Sequence, residues 1–154
     1  MKAKVKLSDV IDGMEMQSYE SNTFFNLKTG DIIAVDNTAL RKAEDDEPYD
    51  HLPDWQQEEM KMAIDILENE ENYISLPTQF DIHEYSMMEN FCYSLPDEDI
   101  GNELLSSIRG KGAFRRFKEK IFYLGLEDKW YQFRDKCYKD IAIEWCENHD
   151  IEYF

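Results

Sequence analysis

A short basic segment in an otherwise acidic chain is the strongest candidate for binding chemistry in this sequence. Residues 109–120 hold six lysines and arginines against one glutamate, whereas the whole chain has a formal net charge of −17. A Gly-Lys-Gly turn at residues 110–112 separates two predicted helices, and glycine lets backbone N–H groups converge where the second helix begins. With Arg115 and Arg116 one turn away, that helix start is typical of an anion site. The candidate binding residues are Arg109, Lys111, Gly112, Arg115, Arg116 and Lys118.

Three uses of the basic segment, residues 109–120, are open from the sequence. Two helices joined by a short glycine turn form the skeleton of a DNA-binding helix-turn-helix, which would place the four cations between Arg115 and Lys120 on the second helix. The same charges could instead bind an acidic patch on another protein. They could also have a structural role, pairing with the surplus carboxylates in exposed ion pairs worth about 0–1 kcal/mol each.

His83 and Glu84 form a second candidate site, a potential base beside a potential acid. Such a pair can transfer protons in general acid–base catalysis. Together with the acidic residues of segment 44–54, it would suit a small metal-assisted or acid–base enzyme. The alternative interpretation is structural, since Asp81 at a helix cap with Glu84 three residues later matches the capping-box pattern.

The acidic segment at residues 44–54 holds six carboxylates and His51, with no lysine or arginine. Carboxylate oxygens are the ligands that hard cations such as Ca²⁺ prefer. The Asp-x-Asp-x-Asp-Gly spacing that fixes the coordination geometry is missing, so the sequence predicts a solvated loop. A third hypothesis is that residues 44–59 act as an acidic decoy that binds basic proteins.

Motifs of known enzyme classes are absent from the sequence. It has no His-x-x-x-His, no Gly-x-Ser-x-Gly and no nucleotide-binding glycine pattern. We therefore predict no catalytic residue, no metal site and no cofactor. Cys92, Cys137 and Cys146 are odd in number and fall in apolar helical patterns, which predicts core thiols in a reducing cytoplasm. The basic start lacks the apolar stretch of a signal peptide, and no apolar run reaches the roughly 18 residues of a membrane span, so we expect no membrane association.

The N-terminal half is predicted to supply a small antiparallel sheet. Strands at residues 23–27 and 32–35 flank a turn at 28–30, whose final glycine suits a hairpin position with positive φ. Residues 73–76, stopped by Pro77, are the predicted third strand. Helices are predicted over residues 7–17 and 54–69, the second with an apolar face of Trp55, Met60, Ala63, Ile64 and Leu67.

The C-terminal half is predicted to be helical throughout. Helices begin near Asp81, at Pro96 and Asp97, after Gly112, and near residue 128, and Gly125 is predicted to end the third of them. The core side of the third helix is predicted as Phe114, Phe117, Ile121 and Leu124. The last helix, over residues 128–148, has a predicted core face of Trp130, Phe133, Cys137, Ile141 and Trp145.

These elements predict an α+β fold: a small N-terminal antiparallel sheet of about three strands with a larger C-terminal helical part. We expect a single domain over residues 1–154, with an α/β portion at about 1–78 and a helical portion at about 79–154. The function that we expect is non-catalytic binding or regulation, with residues 109–120 on an anionic partner, either a nucleic acid or an acidic protein patch. The alternative is the small enzyme built on His83 and Glu84.

Several of these segments resemble those of a known family. The most specific is Gly-Lys-Gly-Ala-Phe-Arg-Arg-Phe at residues 110–117, followed by Trp-Tyr-Gln-Phe-Arg at 130–134, with Leu-Pro-Asp-Trp at 52–55 and Phe-Asp-Ile-His-Glu-Tyr at 80–85 upstream. The chain resembles the bacterial uncharacterised protein family 0158 over about residues 7–151. The resemblance implies a small bacterial cytosolic protein and supplies no reaction. The usual Gly-Arg-Gly-Ala of the family reads Gly-Lys-Gly-Ala here, which keeps the charge but lacks the bidentate fork of arginine.

Overall fold

The computed structural model describes residues 3–154 and divides into two units. Unit 1 comprises the described residues up to Thr78 together with Ala142–Phe154, and unit 2 comprises Gln79–Ile141. The predicted α+β class is confirmed, since a three-stranded antiparallel sheet in the N-terminal part is combined with a predominance of helix. The single domain that we expect from the sequence is not tested by this division and stays a prediction.

Helices and strands are mixed in the first half of the chain, and the second half is helical except for a short strand at its end. The strands are β1 (Lys4–Val5), β2 (Ser21–Asn26), β3 (Ile32–Asp36), β4 (Tyr73–Ser75) and β5 (Glu152–Tyr153). The helices are α1 (Leu7–Met16), α2 (Asn37–Glu44), α3 (Asp54–Glu68), α4 (Gln79–Ile82), α5 (Glu84–Ser94), α6 (Glu98–Ser107), α7 (Ala113–Tyr123) and α8 (Glu127–Asn148). A 3-10 turn at Glu70–Asn72 leads into β4. Among the described residues, no helix is long and apolar enough to cross a membrane.

The hairpin of β2 and β3 forms where its turn residues predict it. Gly30 has a φ of 78°, and its N–H donates to the carbonyl of Asn26 at 2.8 Å. The Asn26 side chain accepts from the N–H groups of Lys28 and Thr29, at 2.9 and 3.2 Å, which fixes the turn. Strand β4 pairs antiparallel with the other side of β2, in the order β3-β2-β4. The three predicted strands are therefore confirmed.

Helix α2 packs beside α3 against the sheet and lies outside the predicted elements. Asp36 caps α2, because its carboxylate accepts the N–H of Thr38 at 2.6 Å. In α2 the buried residues are Ala39 and Ala43, and the helix has only eight residues, fewer than the window of about 11–18 in which a helical period is recognised. The cluster that joins α2, α3 and β3 consists of Val35, Ala39, Ala43, Met60, Ala63 and Ile66.

Helix α3 has nearly the predicted ends, and its buried face agrees with the prediction in part. Trp55 is 67% exposed, and the prediction that it lies in the core is wrong. Met60 and Ala63 are buried as predicted, and Ile66 is buried with them, whereas the predicted Ile64 is half-buried and Leu67 is exposed. The three buried residues follow one another at helical spacing on the side that faces α2, so the available packing surface and not side-chain size selected the buried face.

The end of the chain belongs to the core of unit 1. Trp145 is 6% exposed, its indole N–H donates to the carbonyl of Ser75 at 2.9 Å, and its ring meets that of Phe25 edge-on at 6.0 Å. The predicted core position of Trp145 is therefore confirmed. Strands β1 and β5 form a short parallel pair in which Lys4 is opposite Glu152.

Unit 2 is organised around three aromatic rings from three helices. Phe91 of α5, Phe117 of α7 and Trp130 of α8 are each at most 3% exposed. Their centroids lie 5.4 Å (Phe91–Trp130), 6.2 Å (Phe91–Phe117) and 4.8 Å (Phe117–Trp130) apart, all edge-to-face. Such pairs are worth about 0.5–1.5 kcal/mol each beyond the apolar area that they bury. The cluster fixes the rotation of α7 about its own axis, and so decides which of its residues face solvent.

Candidate functional site

The basic segment, residues 109–120, spans the turn after α6 and most of α7. Gly110 and Gly112 have φ values of 79° and 77°, in the left-handed region that favours glycine. Gly112 is the N-cap of α7, and Gly125 follows the end of that helix with a φ of 70°. The predicted boundaries of this helix at Gly112 and Gly125 are confirmed.

The side chain of Arg116 folds back over this turn. Its Nε donates to the carbonyl of Ser107, in the last turn of α6, at 2.7 Å. Its two Nη atoms donate to the carbonyls of Arg109 and Lys111, and Nη2 is also 3.4 Å from the carbonyl of Gly110. One guanidinium thus satisfies carbonyls at the end of α6 and in the turn, which have no helical N–H partner.

Arg116 therefore has a structural role in unit 2. A guanidinium has five N–H donors in a fixed fork, and most of the fork is taken by backbone oxygens of the turn. It is also a cation at the C-terminal end of α6, where the helix dipole favours positive charge. We accordingly define the binding surface without Arg116, although the sequence offers it as a binding residue.

The remaining cations of the segment divide into paired and unpaired side chains. Lys120 makes an ion pair with Glu103 at 2.5 Å, and Arg115 approaches Glu119 at 4.0 Å with its side chain 79% exposed. Within residues 3–154, Arg109, Lys111 and Lys118 have no carboxylate partner, and all three are exposed. The charge that stays available to a partner thus lies on Arg109, Lys111, Arg115 and Lys118.

The solvent face of α7 alternates these cations with phenyl rings. Residues along a helix turn by 100°, so Phe114, Lys118 and Phe122 follow one another on one side, with Arg115 beside them. Phe114 is 49% exposed and Phe122 is 73% exposed. We call Phe114, Arg115, Lys118 and Phe122 the α7 face. Its rings can stack on planar groups, and its cations can neutralise phosphate or carboxylate.

The position of Phe114 corrects the sequence analysis, which places it in the core. The buried residues of α7 are Ala113, Phe117 and Ile121, at a spacing of four. Phe114 lies 100° from Ala113, at the edge of this stripe. The sequence held one usable signal, since Phe114 and Phe122 are eight residues apart and therefore on the same side of the helix.

The second candidate pair, His83 and Glu84, is not arranged as the sequence predicts. His83 is exposed and left-handed, with a φ of 51°, at the N-cap of α5, where its side chain makes no capping bond. The predicted capping box from Asp81 is therefore wrong, because Asp81 belongs to α4. The carboxylate of Glu84 accepts from Nε of Arg134 at 2.8 Å. An ion pair already uses the carboxylate that would have to serve as the acid.

The thiols are placed for packing. Cys92 and Cys146 are buried and Cys137 is half-buried, and burial raises the pKa of Cys92 and of Cys146 to about 11. A thiol with so high a pKa carries almost no thiolate at neutral pH and is a poor nucleophile. The predicted core positions of Cys92 and Cys146 are confirmed.

The acidic segment at residues 44–54 begins at the end of α2 and leads into α3. All its carboxylates are exposed, as the predicted solvated loop requires, and Asp46 has a φ of 53°. Within residues 3–154, no group of three or more histidine, cysteine, aspartate or glutamate side chains could hold a metal ion. The expectation of no tightly bound metal stays a prediction, which elemental analysis of chelator-free protein would test.

Comparison with known proteins identifies a family. No curated protein and no solved structure matches the chain. A family model matches residues 4–154, and the family is described as Uncharacterised protein family (UPF0158). The matched range includes the whole basic segment and both candidate sites. The resemblance noted in the sequence is confirmed: the chain belongs to the Uncharacterised protein family (UPF0158).

Proposed function

We propose that this protein is a non-catalytic binding or regulatory module that uses the α7 face on an anionic partner, and that the partner is single-stranded nucleic acid. The observation that carries the proposal is the alternation of exposed phenyl rings and available cations on one helix. Phe114 and Phe122 lie eight residues apart, or about 12 Å along the axis, with Lys118 midway. Arg109 and Lys111 extend the positive charge into the preceding turn.

The rings favour single strands over a duplex. Unpaired bases stack on exposed aromatic side chains, each worth about 1–3 kcal/mol, while cations follow the phosphates. A helix that reads the major groove instead presents amide or arginine side chains to the base edges. The exposed positions of α7 hold one arginine, Arg115, and no asparagine or glutamine, and Phe122 would bring an apolar ring into that groove.

The acidity of the chain sets a limit on affinity. With a net charge of −17, long-range attraction to a polyanion is absent, and binding must rely on contacts within the screening length of about 8 Å. Unit 2 is the less acidic part, because it holds ten of the 17 lysines and arginines and 12 of the 34 acidic residues. We place the protein in the bacterial cytoplasm, where three free cysteines stay reduced.

The test is titration of fluorescein-labelled oligo(dT) and oligo(rU) with the full chain, read by fluorescence anisotropy. We expect binding at about 50 mM salt that weakens steeply as salt increases, by about 0.7 logarithmic units per neutralised phosphate. Arg115→Ala with Lys118→Ala should reduce that slope by about 1.4. Phe122→Ala should weaken binding by about 5- to 100-fold and leave the slope unchanged.

Two matched variants control for charge and for ring removal. Lys129→Ala with Lys136→Ala removes two exposed cations from α8, and Tyr131→Ala removes a ring that is 50% exposed. Neither should change binding. If wild-type protein binds neither oligonucleotide at about 50 mM salt, the nucleic-acid proposal is wrong. Binding of a polyglutamate peptide through Arg115 and Lys118 would then favour an acidic protein patch as the partner.

A further inference from the structure

Unit 1 has an apolar groove whose edge is acidic, whereas the α7 face is basic. Its floor consists of Phe24, Leu40, Ile66, Leu67 and Tyr73, and its volume is about 690 Å³. The groove is open to solvent, and its volume lies in the range of about 300–1,000 Å³ that is typical of ligand sites. Three glutamates stand at its rim: Glu44, Glu70 and Glu71.

The sheet and two helices build the groove. In β2, Phe25 points into the core and is fully buried, so its neighbour Phe24 points to the other face of the sheet, beside Ser75 of β4. Tyr73 lies two residues before Ser75 on the same face. Its hydroxyl donates to the carboxylate of Asp65 on α3, which fixes the ring, and this bond raises the pKa of Tyr73 to about 12.

The groove is negative because of the end of α3 as well as its side chains. Leu67 and Glu44 line it, in the last turns of α3 and α2, so the C-terminal ends of both helices are at the groove. A helix C-terminus is equivalent to about half a negative charge. No basic residue stands in the last turn of α3 to offset it, whereas Arg41 and Lys42 stand in the last turn of α2. Glu70 and Glu71 follow directly after that helix end.

The rim glutamates have no partner of opposite charge in the part of the chain that the structure describes. Glu44, Glu70 and Glu71 are exposed, and none of the three makes an ion pair with a lysine or arginine of residues 3–154. Unit 1 as a whole is acidic, because it holds 22 of the 34 acidic residues of the chain and seven of the 17 lysines and arginines. Carboxylates crowded around an apolar surface repel one another, and a cationic ligand relieves that repulsion.

We propose that this groove binds an amphipathic basic segment of a partner protein. Apolar side chains of the segment would cover Phe24, Leu67 and Tyr73, and its lysines or arginines would meet the rim glutamates. Recognition of this kind, an apolar strip in a groove with charges at the edge, recurs among peptide-binding proteins. The site is independent of the α7 face, and its charge calls for the opposite kind of partner.

The test uses two designed helical peptides as probes, one of leucine and lysine and one of leucine and glutamate with the same pattern. Isothermal titration calorimetry of the full chain should show binding of the leucine–lysine peptide only, weakened by salt. Glu70→Gln with Glu71→Gln should weaken it about 3- to 10-fold. Leu67→Gln, which keeps helix propensity, should weaken it by a similar factor through lost apolar contact.

The matched control is Glu47→Gln with Asp50→Asn, which removes the same charge from the exposed loop outside the groove and should change affinity by less than about twofold. If the two double variants have equal effects, the groove proposal is wrong and the net acidity of the protein explains peptide binding. Equal binding of both peptides would also show that the proposal is wrong. A second copy as the occupant would appear as self-association in sedimentation without peptide, lost in Leu67→Gln, and would also overturn the proposal. Arg115→Ala with Lys118→Ala, which tests the α7 face, should leave peptide binding unchanged.

Discussion

The interaction of Arg116 with the turn after α6 gives the sharpest prediction about stability. Arg116→Ala removes one charge-assisted hydrogen bond to the carbonyl of Ser107, partly buried and 2.7 Å long, and the bonds to the exposed turn carbonyls. Hydrogen bonds that involve a charged group contribute about 1.5–3 kcal/mol. The carbonyls of the turn can bind water after the substitution, so they add little. We therefore expect a loss of about 2–3 kcal/mol in the free energy of unfolding.

Urea denaturation followed by helical circular dichroism would measure this loss. Arg115→Ala is the matched control, because it removes a neighbouring arginine whose side chain is 79% exposed and 4.0 Å from Glu119. Its expected cost is at most about 0.5 kcal/mol. Arg116→Lys should be intermediate, since lysine keeps the charge at the end of α6 but lacks the fork. In the Arg116→Ala protein, hydrogen exchange should become faster at the backbone amide of residue 116. In the wild-type protein this amide donates to the carbonyl of Gly112 at 3.0 Å.

Equal stability of the Arg116→Ala and Arg115→Ala proteins would refute this reasoning. It would mean that the turn is held by its glycines and by packing of Ile108, which is 1% exposed, without help from the guanidinium. Arg116 would then be free for a ligand, and the binding surface would have to include it. A variant that replaces both arginines cannot decide the function of the segment, because it would mix a stability effect with a binding effect.

Four further substitutions, at Trp145, Gly101 and Tyr73, test packing and hydrogen bonding in the two units. Trp145→Ala should cost about 3–5 kcal/mol in urea denaturation, because it empties a core site, whereas Trp145→Phe should lose about 1 kcal/mol with the hydrogen bond to Ser75. Gly101→Ala should destabilise α6 in thermal denaturation, since the new Cβ would lie 2.6 Å from the carbonyl oxygen of Cys92, and overpacking of about 1–3 kcal/mol exceeds the gain in helix propensity. Tyr73→Phe should destabilise the protein near neutral pH. The hydrogen bond lowers the pKa of Asp65 below its ordinary 3.8 and raises the pKa of Tyr73 to about 12, so the difference should vanish as pH falls through the lowered pKa or rises through about 12.

Local signals in the sequence determine much of the fold. The hairpin at Gly30, the cap at Asp97 and the stop at Gly125 each depend on residues a few positions apart, and all three lie where the sequence predicts them. The pair of β1 and β5 joins Lys4 to Glu152 across the whole chain, and two-residue strands have no detectable period. Helix α2 escapes prediction because its eight residues are fewer than the window of about 11–18 in which a helical period is recognised.

The candidate site was less predictable than the fold for a physical reason. Periodicity shows that α7 has an apolar stripe, but Phe114 and Phe117 both extend it, and only the contact of Phe117 with Trp130 decides which ring is inside. Likewise, a count of charges cannot separate Arg116 from Arg115. The first binds backbone carbonyls of a turn whose shape depends on the packing of two helices, and that geometry is not a property of the local sequence.

The two proposed surfaces have opposite charge, so each is a potential binding site for the other on a second copy of the chain. A basic face with exposed rings on α7 and an acid-rimmed apolar groove in unit 1 are complementary in chemistry, so copies of the chain could meet head to tail. Such a heterologous contact propagates into chains or rings unless it is weak. Like charges on the rest of a protein of net charge −17 oppose it, and high salt weakens that repulsion together with the attraction. The apparent association constants for oligonucleotide and for peptide should therefore be independent of protein concentration. If both association constants increase on dilution, a second copy of the chain competes with the oligonucleotide for the α7 face and with the peptide for the groove.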